Sequence, residues 1–279
     1  MKRATTFLVA LAFLPTLAAA AVTERARFLM GTVCEIASDG APEQIDAAFA
    51  EAKRIESMLS TWIADSELSR LNRGEGEASP ELRALLDTTL VWAKRTNRAF
   101  DPQWRGTFDE GDFGKGYAID RMMTLLSGAS GFSPTNRDGG LKPAAPQVLI
   151  NFGGQLAVRG SMRVTIADPK HRQQPVAELT IENASLSTSS NSEQLHIVDP
   201  RTHEHLPARG SASVIAPDAL TADILSTALF VMGADEGLRW ADANGVAAIF
   251  ITPANQIRLS SHARGRGVKV IDGHFAIKD

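Results

Sequence analysis

The chain has 279 residues, 44% of them hydrophobic, with 29 basic and 32 acidic side chains and a formal charge of −3. That is long and apolar enough for a substantial core, and the absence of a basic stripe interleaved with aromatics excludes a nucleic-acid-binding surface. A single cysteine, Cys34, excludes an internal disulfide, so stability rests on packing, with help from a ligand or metal.

Lys2 and Arg3 open the chain, Phe7 to Leu17 is a short apolar run, and Ala18-Ala19-Ala20-Ala21 supplies small residues. This is the pattern of a secretory signal peptide over residues 1–21, cleaved after Ala20 or Ala21 and too short for a stable membrane span. The alternative is an uncleaved anchor. No cysteine follows the apolar run, which argues against a lipoprotein. Loss of Lys2 and Arg3 leaves 27 basic against 32 acidic residues, a formal charge of −5. The product, 22–279, is expected to be periplasmic, with no stable membrane span.

Residues 27–36 read as a strand carrying Met30-Gly31-Thr32, with Cys34 as a small core residue. Pro42 to Ser60 is an amphipathic helix, with Ile45, Phe49, Ala52, Ile55 and Leu59 at helical spacing. Asp65-Ser66-Glu67 introduces a short helix over 68–72. Ser79-Pro80 starts another, with serine as N-cap and proline at the first turn, running to about Asn97. Residues 116–127 are helical in pattern, and 128–146, rich in Gly, Pro and Asn, read as an irregular surface loop. Strand-like runs follow at 148–152, 163–167, 177–181, 195–198 and 213–216. Pro217-Asp218 begins a helix that stops before Gly233, and a second helix covers 236–243 and ends at Asn244-Gly245. Runs at 246–252, 257–259 and 268–271 read as closing strands. Mixed helices and strands without strict alternation predict an α+β fold in one domain, with no internal repeat and no linker.

Some polar residues are out of place in this apolar pattern. Asp223 and Thr227 lie one turn apart, on one face of an otherwise apolar helix. A buried carboxylate costs several kcal/mol unless it is paired. Either a hard cation held by oxygens pairs it, or it is a helix cap or hydrogen-bonded core Asp. Gly114-Lys115-Gly116-Tyr117-Ala118-Ile119-Asp120 sets two glycines around a lysine at a helix entry. That is either a phosphate-approach loop or a plain loop-to-helix turn. Asn151 with Gly153-Gly154 ends a strand, as a tight turn or beside a ligand. His196, ahead of Asp199-Pro200, is either a proton carrier or a hydrogen-bonded structural histidine. Ala99-Phe100-Asp101 either lines a pocket or is an ordinary strand-to-turn junction.

Taken in order, these segments resemble the ApbE family of FAD:protein FMN transferases over nearly all of residues 22–279. The resemblance runs through Met30-Gly31-Thr32, Ser60-Thr61-Trp62 and Ser66 to Asn72. It continues through Phe100-Asp101, the Gly114 to Asp120 segment, Asn151 with Gly153-Gly154, Thr188-Ser189, His196 to Thr202, and Asp223 with Thr227. It implies a single α+β unit, related to the T-fold, with FAD as substrate in a cleft between mixed sheets and helices. The implied reaction is Mg²⁺-dependent transfer of FMN from FAD to a Thr or Ser hydroxyl of an exported partner flavoprotein, with release of AMP. Asp223 and Thr227 would ligate Mg²⁺ through side-chain oxygens and Gly114, where the family usually has Ala, through its carbonyl. His196 would be the general base. Met30, Trp62, Ala99, Phe100, Asp101, Gly111, Lys115, Tyr117 and Ile197 would contact FAD, Trp62 standing where the family often has Tyr. The competing readings are an Mg²⁺-dependent hydrolase that splits FAD to FMN and AMP, and a non-catalytic FAD-binding protein.

Overall fold

The computed structural model describes residues 22–127, 147–191 and 197–278. The expected signal peptide, the 128–146 loop and His196 lie outside the described residues.

The chain opens with an antiparallel hairpin, β1 (Thr23–Leu29) and β2 (Thr32–Ser38), rather than one strand through 27–36. Met30 and Gly31 form its two-residue turn, with φ of 45° and 75°, the pair of positive values a type I′ hairpin needs. Four helices follow: α1 (Pro42–Leu59), α2 (Glu67–Asn72), α3 (Pro80–Arg95) and α4 (Gly114–Leu126). Pro42 sits in the first turn of α1. The hydroxyls of Ser66 and Ser79 cap α2 and α3, accepting from the backbone N–H of Ser69 and Leu82. The first four spaced apolar residues of α1, together with Leu59, are all buried.

Next come β3 (Val148–Phe152), β4 (Gln155–Ala167) and β5 (Pro175–Ser190). The latter two are much longer than the apolar runs at 163–167 and 177–181, because their first or last halves carry polar residues that pair regardless of hydropathy. A small hairpin of β6 (Val198–Asp199) and β7 (Glu204–His205) precedes β8 (Ser211–Ala216). Then α5 (Ala219–Ala243) runs through a non-helical residue at Gly233, φ 77° and ψ 170°, so the two expected helices meet at a kink. The chain closes with β9 (Ala247–Ile251), β10 (Gln256–Leu259), α6 (Ser261–Arg264), β11 (Lys269–Val270) and β12 (Ala276–Lys278).

Nine strands form one sheet in the order β1-β2-β3-β4-β5-β8-β9-β10-β12, and β11 pairs with the outer part of β5. All the pairs are antiparallel except β10–β12. The period of two in a strand divides the core. Ile150, Phe152, Ala157, Val214 and Phe250 join the helices on one face, while Leu149, Val158, Ile215 and Ile249 pack with the outer halves of β4 and β5 on the other. Phe100, Phe113, Phe152 and Phe230 are almost fully buried, each contributing about 1.5–3 kcal/mol. The architecture is α+β in a single domain. Among the described residues no helix is long and apolar enough to cross a membrane.

The helix face of β5 breaks the apolar rule. Ser185 and Ser187 are buried there, and Ser189 follows in register. Opposite them α5 presents Asp223, Ser226 and Thr227, also buried. This polar seam, closed at one end by α4, is the candidate site.

Candidate active site

One glycine and two carboxylates bring α4 and α5 together. A Cβ on Gly116 would lie 2.6 Å from Ala219 O, 2.8 Å from Leu220 Cα and 2.9 Å from Asp223 Cβ, so only glycine permits this approach. It lets Gly116 N–H donate to Asp223 Oδ2 at 3.0 Å. Phe113, the N-cap of α4, has no side-chain oxygen to offer, and Asp223 takes over that role from the neighbouring helix. Reciprocally, Asp120 on α4 accepts from the first N–H groups of α5, Ala219 at 2.7 Å and Leu220 at 2.9 Å. Burial nonetheless pushes the Asp120 carboxyl up to about 6.

The other oxygen of Asp223 is poorly served. Ser187 Oγ donates to Oδ1 at 3.4 Å, a long contact. Burial raises the Asp223 pKa, opposed by the charge of Lys115, the Gly116 N–H and Ser187. Thr227 Oγ1 lies 3.2 Å from Ser189 Oγ and donates to Asp112 Oδ1 at 3.5 Å. Ser226 Oγ bridges Ser189 at 2.9 Å and Ser187 at 3.2 Å. Asp112 is pushed up to about 6, first by burial and then by the negative charges of Asp223 and Asp109. Two carboxylates therefore converge on a hydroxyl-lined seam that is short of positive charge. The donor set is oxygen throughout, which suits a hard divalent cation.

Asp112 is the site residue that sequence reasoning missed. Its signal was a cluster of acids, Asp109, Glu110 and Asp112, ahead of Gly114, but nothing in the sequence says which of the three faces α5.

The residues expected at the cation, Asp223 and Thr227, are brought together with the 112–116 segment that contains Gly114. Met30 reaches the same segment: a Cβ on Gly114 would lie 3.3 Å from Met30 Cε. Lys115 acts on Asp112 and Asp223 through its charge. Ile197 is anchored nearby, its N–H donating to Asn191 Oδ1 at 2.9 Å, two residues beyond Ser189. Gly111 N–H donates to Asp109 Oδ1, and Asp109 lines a cleft of ≈ 290 Å³ with Thr61, Asn72, Arg73, Arg105 and Phe108. Trp62 stands beside that cleft, 94% exposed, on a loop held by the Thr61 N–H to Glu110 Oε1 bond of 3.0 Å.

Four expected flavin contacts have other partners. Ala99 and Phe100 are core residues with almost no exposure, and Asp101 accepts from Gln103 N–H and Arg98. The Tyr117 hydroxyl donates to Glu81 Oε1 at 2.8 Å, on the side of α4 turned toward α3.

The sequence model of the ApbE family matches residues 30–113 and 104–250. The chain belongs to the ApbE family. The "FAD:protein FMN transferase" of Treponema pallidum (strain Nichols) is 26% identical over 333 residues, covering 91% of this chain and 91% of that protein. The protein of the same name from Klebsiella pneumoniae (strain 342) is 31% identical and covers 69% of this chain and 63% of its own length. Among solved structures, the ApbE protein of Thermotoga maritima superposes with a TM-score of 0.75 at 20% identity, over 88% of this chain and 99% of that one. The apo flavinyl transferase ApbE of Pseudomonas stutzeri gives 0.71 at 20%, over 90% and 98%. This ApbE chain therefore shares the fold of both over nearly its whole described length.

Proposed function

We propose that this chain is a periplasmic, Mg²⁺-dependent transferase that moves FMN from FAD to a Thr or Ser hydroxyl of an exported flavoprotein and releases AMP. The observation that carries the reading is the oxygen-lined seam of Asp223 and Thr227 against the serines of β5, set in an apolar core at the entry of α4. Family membership supplies the reaction class.

The balance is that of a phosphoryl-type transfer. A bond forms between the acceptor oxygen and the FMN phosphorus, the pyrophosphate P–O bond breaks, and AMP leaves with the bridging oxygen. The hydroxyl proton passes to a base, the role assigned to His196 through the family resemblance. Mg²⁺ held by Asp223, Thr227 and the Gly114 carbonyl would neutralise charge on the pyrophosphate. Lys115, on the first turn of α4, adds a positive group to a helix N-terminus that already favours phosphate. Arg73 and Arg105 give the neighbouring cleft its cationic side.

The test is to incubate the purified protein with FAD, Mg²⁺ and a Thr-containing flavoprotein acceptor. Covalently yellow acceptor with stoichiometric AMP is the expected result. FMN and AMP without labelled acceptor would make it a hydrolase, and intact bound FAD a carrier; either outcome overturns the transferase reading.

A further inference from the structure

The Mg²⁺ reading above assigns the cation one carboxylate, Asp223. We propose that Asp112 is a second carboxylate ligand of the same cation. The inference rests on that reading and concerns a residue it does not use.

The geometry is specific. Asp112 sits in the turn two residues before Gly114, half-buried, facing α5. Its Oδ1 lies 3.5 Å from Thr227 Oγ1. Two oxygens on one cation at about 2.1–2.5 Å stand roughly 3–3.5 Å apart when adjacent, so both reach a common ion with little movement of the backbone. Among the described residues the Thr227 hydroxyl is the only hydrogen-bond donor to the Asp112 carboxylate, and the one favourable charge acting on it, that of Lys115, forms no ion pair with it. A half-buried carboxylate with one long hydrogen bond is under-satisfied. The remaining neighbours are no substitute: Ser187 and Ser226 are occupied with each other, with Asp223 and with Ser189. A cation shared with Asp223 supplies the missing positive partner for both acids.

The consequence is a site with two negative charges from the protein. Such a site binds divalent cations more tightly, because affinity rises with the number of charged ligands.

The experiment measures Mn²⁺ and Mg²⁺ binding to the purified full chain, with and without FAD, by calorimetry and by the electron paramagnetic resonance of free Mn²⁺. It compares wild type, Asp112→Asn and Asp223→Ala. Asparagine keeps the shape and the acceptor for Thr227 but removes the charge. Asp112→Asn is expected to raise the Kd at least about tenfold. It is also expected to unfold in EDTA at or above the wild-type temperature, while gaining less from added Mg²⁺. A Kd within twofold of wild type, alongside loss of binding in Asp223→Ala, would overturn the role of Asp112 and leave the Mg²⁺ reading standing. So would an Asp112→Asn protein that is less stable in EDTA yet gains as much from Mg²⁺ as wild type. Failure of the wild-type chain to bind either ion, with or without FAD, would overturn both.

Discussion

Asp223 has two jobs that compete in any mutational test. One carboxylate oxygen caps α4 through Gly116 N–H, and the other faces the hydroxyls of β5. The sequence left cap and cation as alternatives, and the structure shows that the cap is real without using up the side chain. The pairing of Asp223 with Thr227 was legible because a polar i, i+4 pair in an apolar helix has few explanations. Asp112 was not, because acids before a helix are common on surfaces and only the tertiary approach of α4 to α5 selects one of them. That approach depends on Gly116. Gly116→Ala is expected to cost about 1–3 kcal/mol by overpacking against the α5 backbone, measured by chemical denaturation, and to weaken divalent-cation binding by displacing Asp223. Unchanged stability and unchanged binding would show that the helices part without disturbing the seam.

At the scale of elements, helices were legible wherever apolar spacing and a cap agreed, as at Ser79-Pro80 and Asp218. The 2–4-residue elements α6, β7 and β12 carry too few residues for any periodicity to register. β5 was only partly legible, because its helix face is serine where a buried strand normally shows apolar residues. Gly233 marks the joint in α5. Its φ of 77° and ψ of 170° lie where only glycine is comfortable, and Gly233→Ala is expected to lower stability by about 1–3 kcal/mol while leaving the oxygen seam, a turn and more away, intact. A thermal melt together with a cation-binding measurement separates the two.

Helices α1, α3 and α4 are also joined by charge. Arg54 donates to Glu51 and Glu81, and Arg121 to Glu51. The Arg54 guanidinium, with Arg121, holds the Glu51 carboxyl down at about 2 against an ordinary 4.5, although burial opposes this. Folded Glu51 thus stays ionised where the unfolded chain takes up a proton. Its stabilisation is complete above pH 4.5 and is lost as pH falls toward 2. Glu51→Gln is expected to remove on the order of 1 kcal/mol at pH 7, allowing for solvent screening, and to flatten the fall in melting temperature between pH 4.5 and 2. An acid limb as steep as that of wild type would show that other carboxylates govern it.

For the whole molecule, fold class and single-domain organisation followed from the mixture of elements, but the strand order did not. β5 is flanked by β4 and β8, with β11 on its outer part, pairings set by contacts far apart in sequence. The ordered motifs carried the family because they sample the entire chain, and the family match over 30–250 agrees with them. Export was read from the first 21 residues alone. Expression of the full chain in a Gram-negative host is expected to yield periplasmic protein beginning at Ala21 or Val22, checked by fractionation and intact mass; an uncut cytoplasmic product would contradict it.

The central claim is that the Asp223 seam holds the cation under which the pyrophosphate of FAD is split. The most direct measurement is AMP release from FAD as Mg²⁺ is titrated, for wild type and for Asp223→Asn, with folding of both checked by melting. The account predicts Mg²⁺-dependent release in wild type and a loss of at least about a hundredfold in a folded Asp223→Asn protein. Equal release by the two proteins, or full release in EDTA, would contradict it.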